Sequence, residues 1–292
     1  MFDLIHVSGN TYYIENPARV GVYLASDGAW LIDGGFGPDA GERILELTDS
    51  RGWKIAGIIA THSHPDHIGG CRTIQEKTGC GVFAHGMEAA LLQFPLLHPS
   101  FTYGGFPYRT LRGRGMMAES ADVREMEGNI PSELELLPLP GHSFDMAGIR
   151  TPDGTVFFAD ALCSENVLER YGITFLYDAG AYISTLEKIS GMEADMFIPS
   201  HVSPSADVKS LARLNIKAVL SVADRIVSWC CTPQTTEAIL QNVFREYRRN
   251  TVNFEQYGLV GSTVRSYLAW LKDTGRLASE FRGNIMFWRS TL

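Results

Sequence analysis

Thr61-His62-Ser63-His64-Pro65-Asp66-His67-Ile68-Gly69-Gly70 is the stretch on which the reading of this chain turns. It packs three imidazoles and a carboxylate into six residues. The residues ahead of it, Gly57-Ile58-Ile59-Ala60, are small or apolar and read as a buried strand. Imidazole and carboxylate donors crowded at a strand end predict a divalent-metal site, and their number suits two ions. A metallohydrolase is the first reading.

Three more apolar runs end in a donor. Leu136-Leu137-Pro138-Leu139-Pro140-Gly141 leads to His142, Val156-Phe157-Phe158-Ala159 to Asp160, and Met196-Phe197-Ile198-Pro199-Ser200 to His201. Sites in layered α/β proteins lie beyond strand ends. If these strands share an edge, five histidines and two aspartates could converge. One ion could then take His62, His64 and His142 and a second Asp66, His67 and His201, with Asp160 offering one oxygen to each. Such sets leave coordination open for water, the mark of a catalytic site, and suit zinc first, with iron or manganese as alternatives. Alone, His142 and His201 read as structural or surface residues and Asp160 as a turn residue; the packed triple-histidine run lifts the others. Water bridging two such ions loses a proton near neutral pH, and the hydroxide can attack a carbonyl or phosphorus centre. Asp66 is the candidate catalytic residue, placed to orient that hydroxide or carry the proton.

The rest of the chain frames this cluster. Strand-like runs over 11–14, 20–24, 29–33, 58–59 and 80–84 alternate with helical patterns over 40–48 and 68–78, which favours a layered α/β fold. Residues 90–130 are rich in aromatics, proline and glycine without clear periodicity and read as a lid or specificity loop. Strand signals resume at 134–137, 155–158 and 195–198. From about residue 205 the pattern turns helical. One helix carries Val208 to Ile226, a second opens at Thr232-Pro233, and a third is capped by Ser262 and stopped at Gly275. Two strands joined by Arg282-Gly283-Asn284 follow. That order reads as a small winged-helix-like domain over 206–292 behind a catalytic domain over 1–205. The formal charge of −8 splits into −14 before Lys209 and +6 from it onward, in keeping with a boundary there. No apolar run approaches the roughly 18 residues of a membrane span. The N-terminus lacks the basic and apolar regions of a secretion signal. Five cysteines without zinc-finger spacing fit a reduced, cytoplasmic protein.

His62-Ser63-His64-Pro65-Asp66-His67 resembles the HxHxDH signature of the metallo-β-lactamase superfamily. Gly141-His142-Ser143, Phe158-Ala159-Asp160 and Ser200-His201 are similar to its later metal-ligand motifs, in the same order. Leu31-Ile32-Asp33-Gly34-Gly35 resembles the strand and turn ahead of them. The resemblance implies a four-layer αβ/βα sandwich, the ligand roles given above, and for Asp33 a part in steadying the ligand loop. Relatives include glyoxalase-II-like thioesterases, lactonases and persulfide dioxygenases. The implied activity is therefore metal-dependent hydrolysis of a small ester, thioester or lactone by a metal-bridging hydroxide. Asp160 stands where class B β-lactamases usually carry cysteine. Ser143-Phe144-Asp145-Met146 lacks the further histidine that often follows the Gly-His pair in the glyoxalase-II and persulfide groups.

Two alternatives stay open. One is a metallo-nuclease or phosphodiesterase, with Arg265, Lys272, Arg276, Arg282 and Arg289 offered to nucleic acid. The other is an iron-dependent oxidoreductase on the same scaffold. In many relatives the added C-terminal helices wall the substrate cavity or make dimer contacts, so a homodimer is among the expected assemblies. The substrate contacts read from the 98–114 stretch are Tyr103, Tyr108, Arg109 and Arg112, a surface that could stack on an organic group and pair with an anion.

Overall fold

Period-two patterning sorts the strand side chains into two faces. The computed structural model, which describes residues 2–247 and 253–291, shows where each face goes. Strands β1 (Asp3–Ser8), β2 (Thr11–Glu15), β3 (Val20–Ala25) and β4 (Gly28–Ile32) form an antiparallel meander. Helix α1 (Pro38–Ser50) leads to β5 (Ile55–Ala60), and α2 (Pro65–Ile68) and α3 (Cys71–Thr78) lead to β6 (Gly81–Ala84). Helices α4 (Met87–Gln93) and α5 (Leu97–Tyr103) precede β7 (Val123–Glu125). These seven strands pair in chain order, parallel from β4 to β7. A second sheet holds β8 (Glu135–Pro138), β9 (Ala147–Arg150), β10 (Thr155–Ala159) and β11 (Met196–Pro199) in the order β11-β10-β9-β8. Helices α6 (Glu165–Tyr171) and α7 (Ala179–Ser190) connect β10 to its parallel neighbour β11. The chain ends in α8 (Lys209–Trp229), α9 (Thr236–Glu246), α10 (Phe254–Asp273) and the hairpin β12 (Leu277–Arg282)–β13 (Ile285–Ser290).

On one face of the first sheet Val22, Leu31 and Ile58 pack with Ile44 of α1 and Ile74 of α3. On its other face Trp30, Ile32, Ile59 and Phe83 meet Ile149, Phe157 and Ile198 of the second sheet. The far face of that sheet, Val156, Phe158 and Phe197, packs on Leu186, Val222 and Ile226 from α7 and α8. Helix, sheet, sheet, helix is the four-layer α/β sandwich expected. The last buried cluster continues through Val264 and Leu268 of α10 to Trp288 of β13. Among the described residues no helix is long and apolar enough to cross a membrane. All five cysteines are free.

Several element boundaries differ from the sequence reading. The helix expected over 68–78 starts at Cys71, separated from α2 by Gly69-Gly70, and at position 70 the Gly34 carbonyl and the backbone of Gly41 come too close for a Cβ. The second C-terminal helix is capped by Thr235, whose hydroxyl accepts the Ala238 N–H, and not by Thr232. The third opens at Asn253, which accepts the Gln256 N–H, so Ser262 lies mid-helix. Residues 90–130 contain α5 and a 3₁₀ turn over Arg109–Arg112 as well as loop. Strands β1 and β9 and helices α4 and α6 carry too little periodic signal in so few residues to stand out. Helix α7, whose buried Tyr182, Leu186 and Ile189 recur at helical spacing, is absent from the sequence reading all the same. Arg248 and Arg249, included in the C-terminal charge, lie outside the described residues.

Candidate metal centre

Every donor follows the C-terminal end of a strand: His62 after β5, His142 after β8, Asp160 after β10 and His201 after β11. The two sheets bring these ends to one edge. His62, His64, His142 and Asp160 form one group of four donors, and Asp66, His67, Asp160 and His201 form another. In each group the donor atoms lie within 4.8 Å of one another, and Asp160 belongs to both. Its Oδ2 stands 3.5 Å from His142 Nε2, and its Oδ1 stands 3.1 Å from His67 Nε2 and 3.4 Å from His201 Nε2. The backbone just before it is constrained, since Ala159 has φ 50°, a region that costs an L-residue roughly 1–2 kcal/mol. Gly141 allows the same kind of turn ahead of His142: its φ is 119°, and a Cβ there would collide with the backbone nitrogen of Tyr182.

Hydrogen bonds fix which ring nitrogen of His62, His67 and His201 faces inward. Asp33 Oδ2 accepts the His67 Nδ1–H at 2.7 Å, so Nε2 points to the cluster. Thr61 Oγ1 donates to Asp33 at 2.9–3.0 Å and, its one hydrogen spent, accepts the His62 Nδ1–H at 3.1 Å. The Thr61 N–H also donates to Asp33, at 2.8 Å. One buried aspartate thus hydrogen-bonds a histidine of each group, His67 directly and His62 through Thr61. It does so from φ 70°, which aspartate tolerates better than most residues. The Pro17 carbonyl accepts the His201 Nδ1–H at 2.7 Å. Arg19 clamps the same loop through the carbonyls of Pro199, Ser200 and Val202.

The inward atoms then face one another. His62 Nε2 and His142 Nε2 each stand 3.0 Å from His64 Nδ1, so three imidazole nitrogens converge with too few protons to pair them. His67 Nε2 and Asp160 Oδ1 are buried without a hydrogen-bond partner of good geometry. Donors of a tetrahedral zinc site with bonds of about 2.0–2.1 Å stand about 3.3 Å apart, close to these spacings. The residues fit a cation in each group, by donor type and by the unmet lone pairs.

Protonation in the metal-free chain points the same way. Burial would raise Asp160 and Asp66, but the neighbouring histidines, His67 first, hold both well below the usual carboxylate range. Burial would lower His67 and His201. Instead Asp160, Asp66 and Asp33 raise His67 well above the imidazole value, and close contact with the Asp160 and Asp66 carboxylates lifts His201 to about 10. His62 and His64 are pushed well below it by burial and by the other imidazoles. Protons on His67 and His201 therefore balance charge where a dication would.

Two residues at this site carried no signal in the sequence reading. Glu88 of α4 is fully buried; Oε2 accepts the Ser63 N–H at 2.9 Å and Oε1 the Asp145 N–H at 3.2 Å. Ser143 also hydrogen-bonds it, so Glu88 joins the loop of His62 and His64 to the loop of His142. His98 of α5 packs edge-on to His64, ring centres 5.1 Å apart, and donates Nδ1–H to the Met116 carbonyl at 3.0 Å. Its Nε2 is a buried acceptor without a partner. Phe175 lies edge-on to His64 and His142, and Phe101, Phe144 and Tyr177 form an aromatic group beside them.

The four expected substrate contacts lie on α5 and on the 3₁₀ turn after it, Tyr108 just ahead of that turn. Tyr103 and Tyr108 pack on each other at 5.0 Å, Tyr108 packs on Phe254 at 4.7 Å, and Arg112 lies over Phe106. Arg109 and Arg112 are exposed. Among the described residues no hydrogen bond or ring contact joins these four to the seven donors.

A sequence profile described as the metallo-beta-lactamase superfamily matches residues 6–201. A linear primary-alkylsulfatase of Pseudomonas sp. is 22% identical over 297 residues, covering 85% of this chain and 55% of that protein. A hydroxyacylglutathione hydrolase of Rhodopseudomonas palustris is 30% identical over 133 residues, 44% of this chain and 41% of that enzyme. The chain thus spans about half the length of these curated relatives. In fold, it superposes on a beta-lactamase domain protein from Burkholderia ambifaria with a TM-score of 0.74 at 17% identity, covering 99% of this chain and 94% of that one.

Proposed function

The chain belongs to the metallo-β-lactamase superfamily, and from that premise we propose that it is a metal-dependent hydrolase of a small ester, thioester or lactone, with two ions, zinc first, held by His62, His64, His142, Asp160, Asp66, His67 and His201. The observation that carries this reading is the double membership of Asp160: one carboxylate offers an oxygen to each of two donor groups.

When bound, such ions polarise a carbonyl oxygen and lower the pKa of water from about 15.7 to about 7. The protein's own residues do the rest. Asp33 and the Pro17 carbonyl hold Nδ1–H of His67 and His201, so their Nε2 lone pairs stay aimed inward. Asp66 Oδ2, 3.1 Å from His201 Nε2, is the half-exposed carboxylate placed to accept or return a proton at the mouth. Phe175 packs its ring against His64 and His142 and supplies an apolar wall on that side.

A second reading, hydrolysis of an alkyl sulfate ester, is favoured by the relative that covers 85% of this chain. The division at 205/206, the winged-helix-like character of the last three helices and hairpin, and a reduced cytoplasmic setting belong to the same proposal. The test is turnover of an ester, a glutathione thioester, a lactone and an alkyl sulfate by protein as purified, after chelation and after zinc is restored. The reading expects one ester class to be turned over, lost with chelation and regained with zinc. Turnover that survives complete chelation contradicts it.

A further inference from the structure

Between the segment after Asp160 and helix α10 lies a cavity of about 330 Å³ that the proposed chemistry leaves unused. Cys163, Val167, Ile173 and Phe175 wall one side; Leu259 and Val260 of α10 wall the other. Among the described residues no charged side chain lines it. Its polar groups are largely engaged within the wall. Thr263 Oγ1 donates to the Leu259 carbonyl at 3.0 Å and accepts the Leu176 N–H at 3.3 Å, and Thr174 hydrogen-bonds Cys163. Gln256 stands at the exposed rim.

The cavity and the candidate metal centre share one ring. Phe175 lines the cavity and lies edge-on to His64 at 5.3 Å and His142 at 5.8 Å between ring centres. Phe175 is thus common to the cavity wall and to the histidine rings, which sets the cavity beside the candidate centre. We propose that the cavity binds the aliphatic arm of the substrate, an inference that rests on the hydrolase reading above. A charged arm would give up its hydration with nothing to pair it, whereas moving an unbranched hydrocarbon out of water is favourable. At the roughly 30 Å³ that a water-sized group occupies, the space holds on the order of ten heavy atoms, so the preferred arm has roughly six to ten carbons. Helix α10, in this account, sets chain-length specificity.

The test uses full-length, zinc-loaded protein with two variants that fill the cavity from opposite walls, Leu259→Trp and Val167→Trp, each checked by thermal melting. One arm measures kcat/KM for p-nitrophenyl esters from acetyl to dodecanoyl. The other measures binding of the aliphatic acids from acetate to decanoate by calorimetry, which needs no turnover. Both quantities should rise about fourfold per methylene, equivalent to about 0.8 kcal/mol, and level off between about six and ten carbons. Either tryptophan should cut the octanoyl-to-acetyl ratio at least tenfold. Affinity that does not grow with chain length, or a ratio and an octanoate affinity unmoved by both tryptophans, overturns the inference. If no ester is turned over but octanoate binds chain-length-dependently and loses that binding in both variants, the cavity assignment stands and the hydrolase reading fails.

Discussion

Glu88 accepts the backbone N–H of Ser63, the residue between His62 and His64, across 2.9 Å. Its other oxygen takes the N–H of Asp145, three residues past His142, across 3.2 Å. The loop of His62 and His64 and the loop of His142 are thus tied to one buried carboxylate. Removing it leaves two backbone donors unsatisfied, at about 1–3 kcal/mol each if both stay buried. Glu88→Ala is expected to weaken zinc binding about 10- to 100-fold, the usual cost of losing a group that orients ligands. Glu88→Gln, with one acceptor left, should fall between. Chelator competition with a thermal melt checks this; Glu88→Ala with wild-type zinc affinity would show that the two loops hold themselves.

Asp33 reaches both donor groups, through Thr61 to His62 and directly to His67. Asn tolerates the left-handed backbone at position 33 about as well as Asp, so Asp33→Asn isolates the carboxylate from the turn. An amide nitrogen turned toward His67 meets an N–H, and the ring must change tautomer or rotate. The expected result is an unchanged far-ultraviolet spectrum with zinc affinity lowered about 10- to 100-fold. A spectrum that collapses, or an affinity that does not move, contradicts this division of labour.

In the metal-free protein His67 is held well above the ordinary imidazole value and His201 at about 10, while Asp66 and Asp160 are depressed. The raised histidines stabilise the metal-free fold below their unfolded value near 6.5. That contribution is lost as pH climbs toward about 10. The depressed carboxylates contribute above about 3.9, and their contribution is lost as pH falls through their native values. Zinc must displace the imidazolium protons, so its affinity should rise from pH 6 to 9 with protons released. Calorimetric titrations in two buffers of different ionisation heat measure the protons directly. A zinc affinity independent of pH would mean these histidines are not displaced.

The strand-end positions of the donors are legible in the sequence because each follows an apolar run, and the layered order is legible from the alternation of strand and helix patterns. The start of α10 is not. Gly258, Gly261 and Ser262 disfavour helix and make the segment look like a cap, yet the buried side of Val260, Val264 and Leu268 holds it helical from Phe254. Glu88 is invisible locally, since its partners lie 25 and 57 residues away and nothing in Met87-Glu88-Ala89-Ala90 marks the glutamate as buried. The aromatic and arginine residues of 98–114 are legible in the sequence only as a class. Their composition suits a ligand, but which of them meets a donor ring depends on α5, and it is His98 that packs on His64, with Phe101 behind it.

The sharing of Asp160 between two donor groups is tested most directly by metal stoichiometry. Elemental analysis of protein saturated with zinc and freed of excess should give about two ions per chain in the wild type, and one or fewer in Asp160→Ala at unchanged fold. One ion in the wild type, or two retained without the Asp160 carboxylate, would contradict the account.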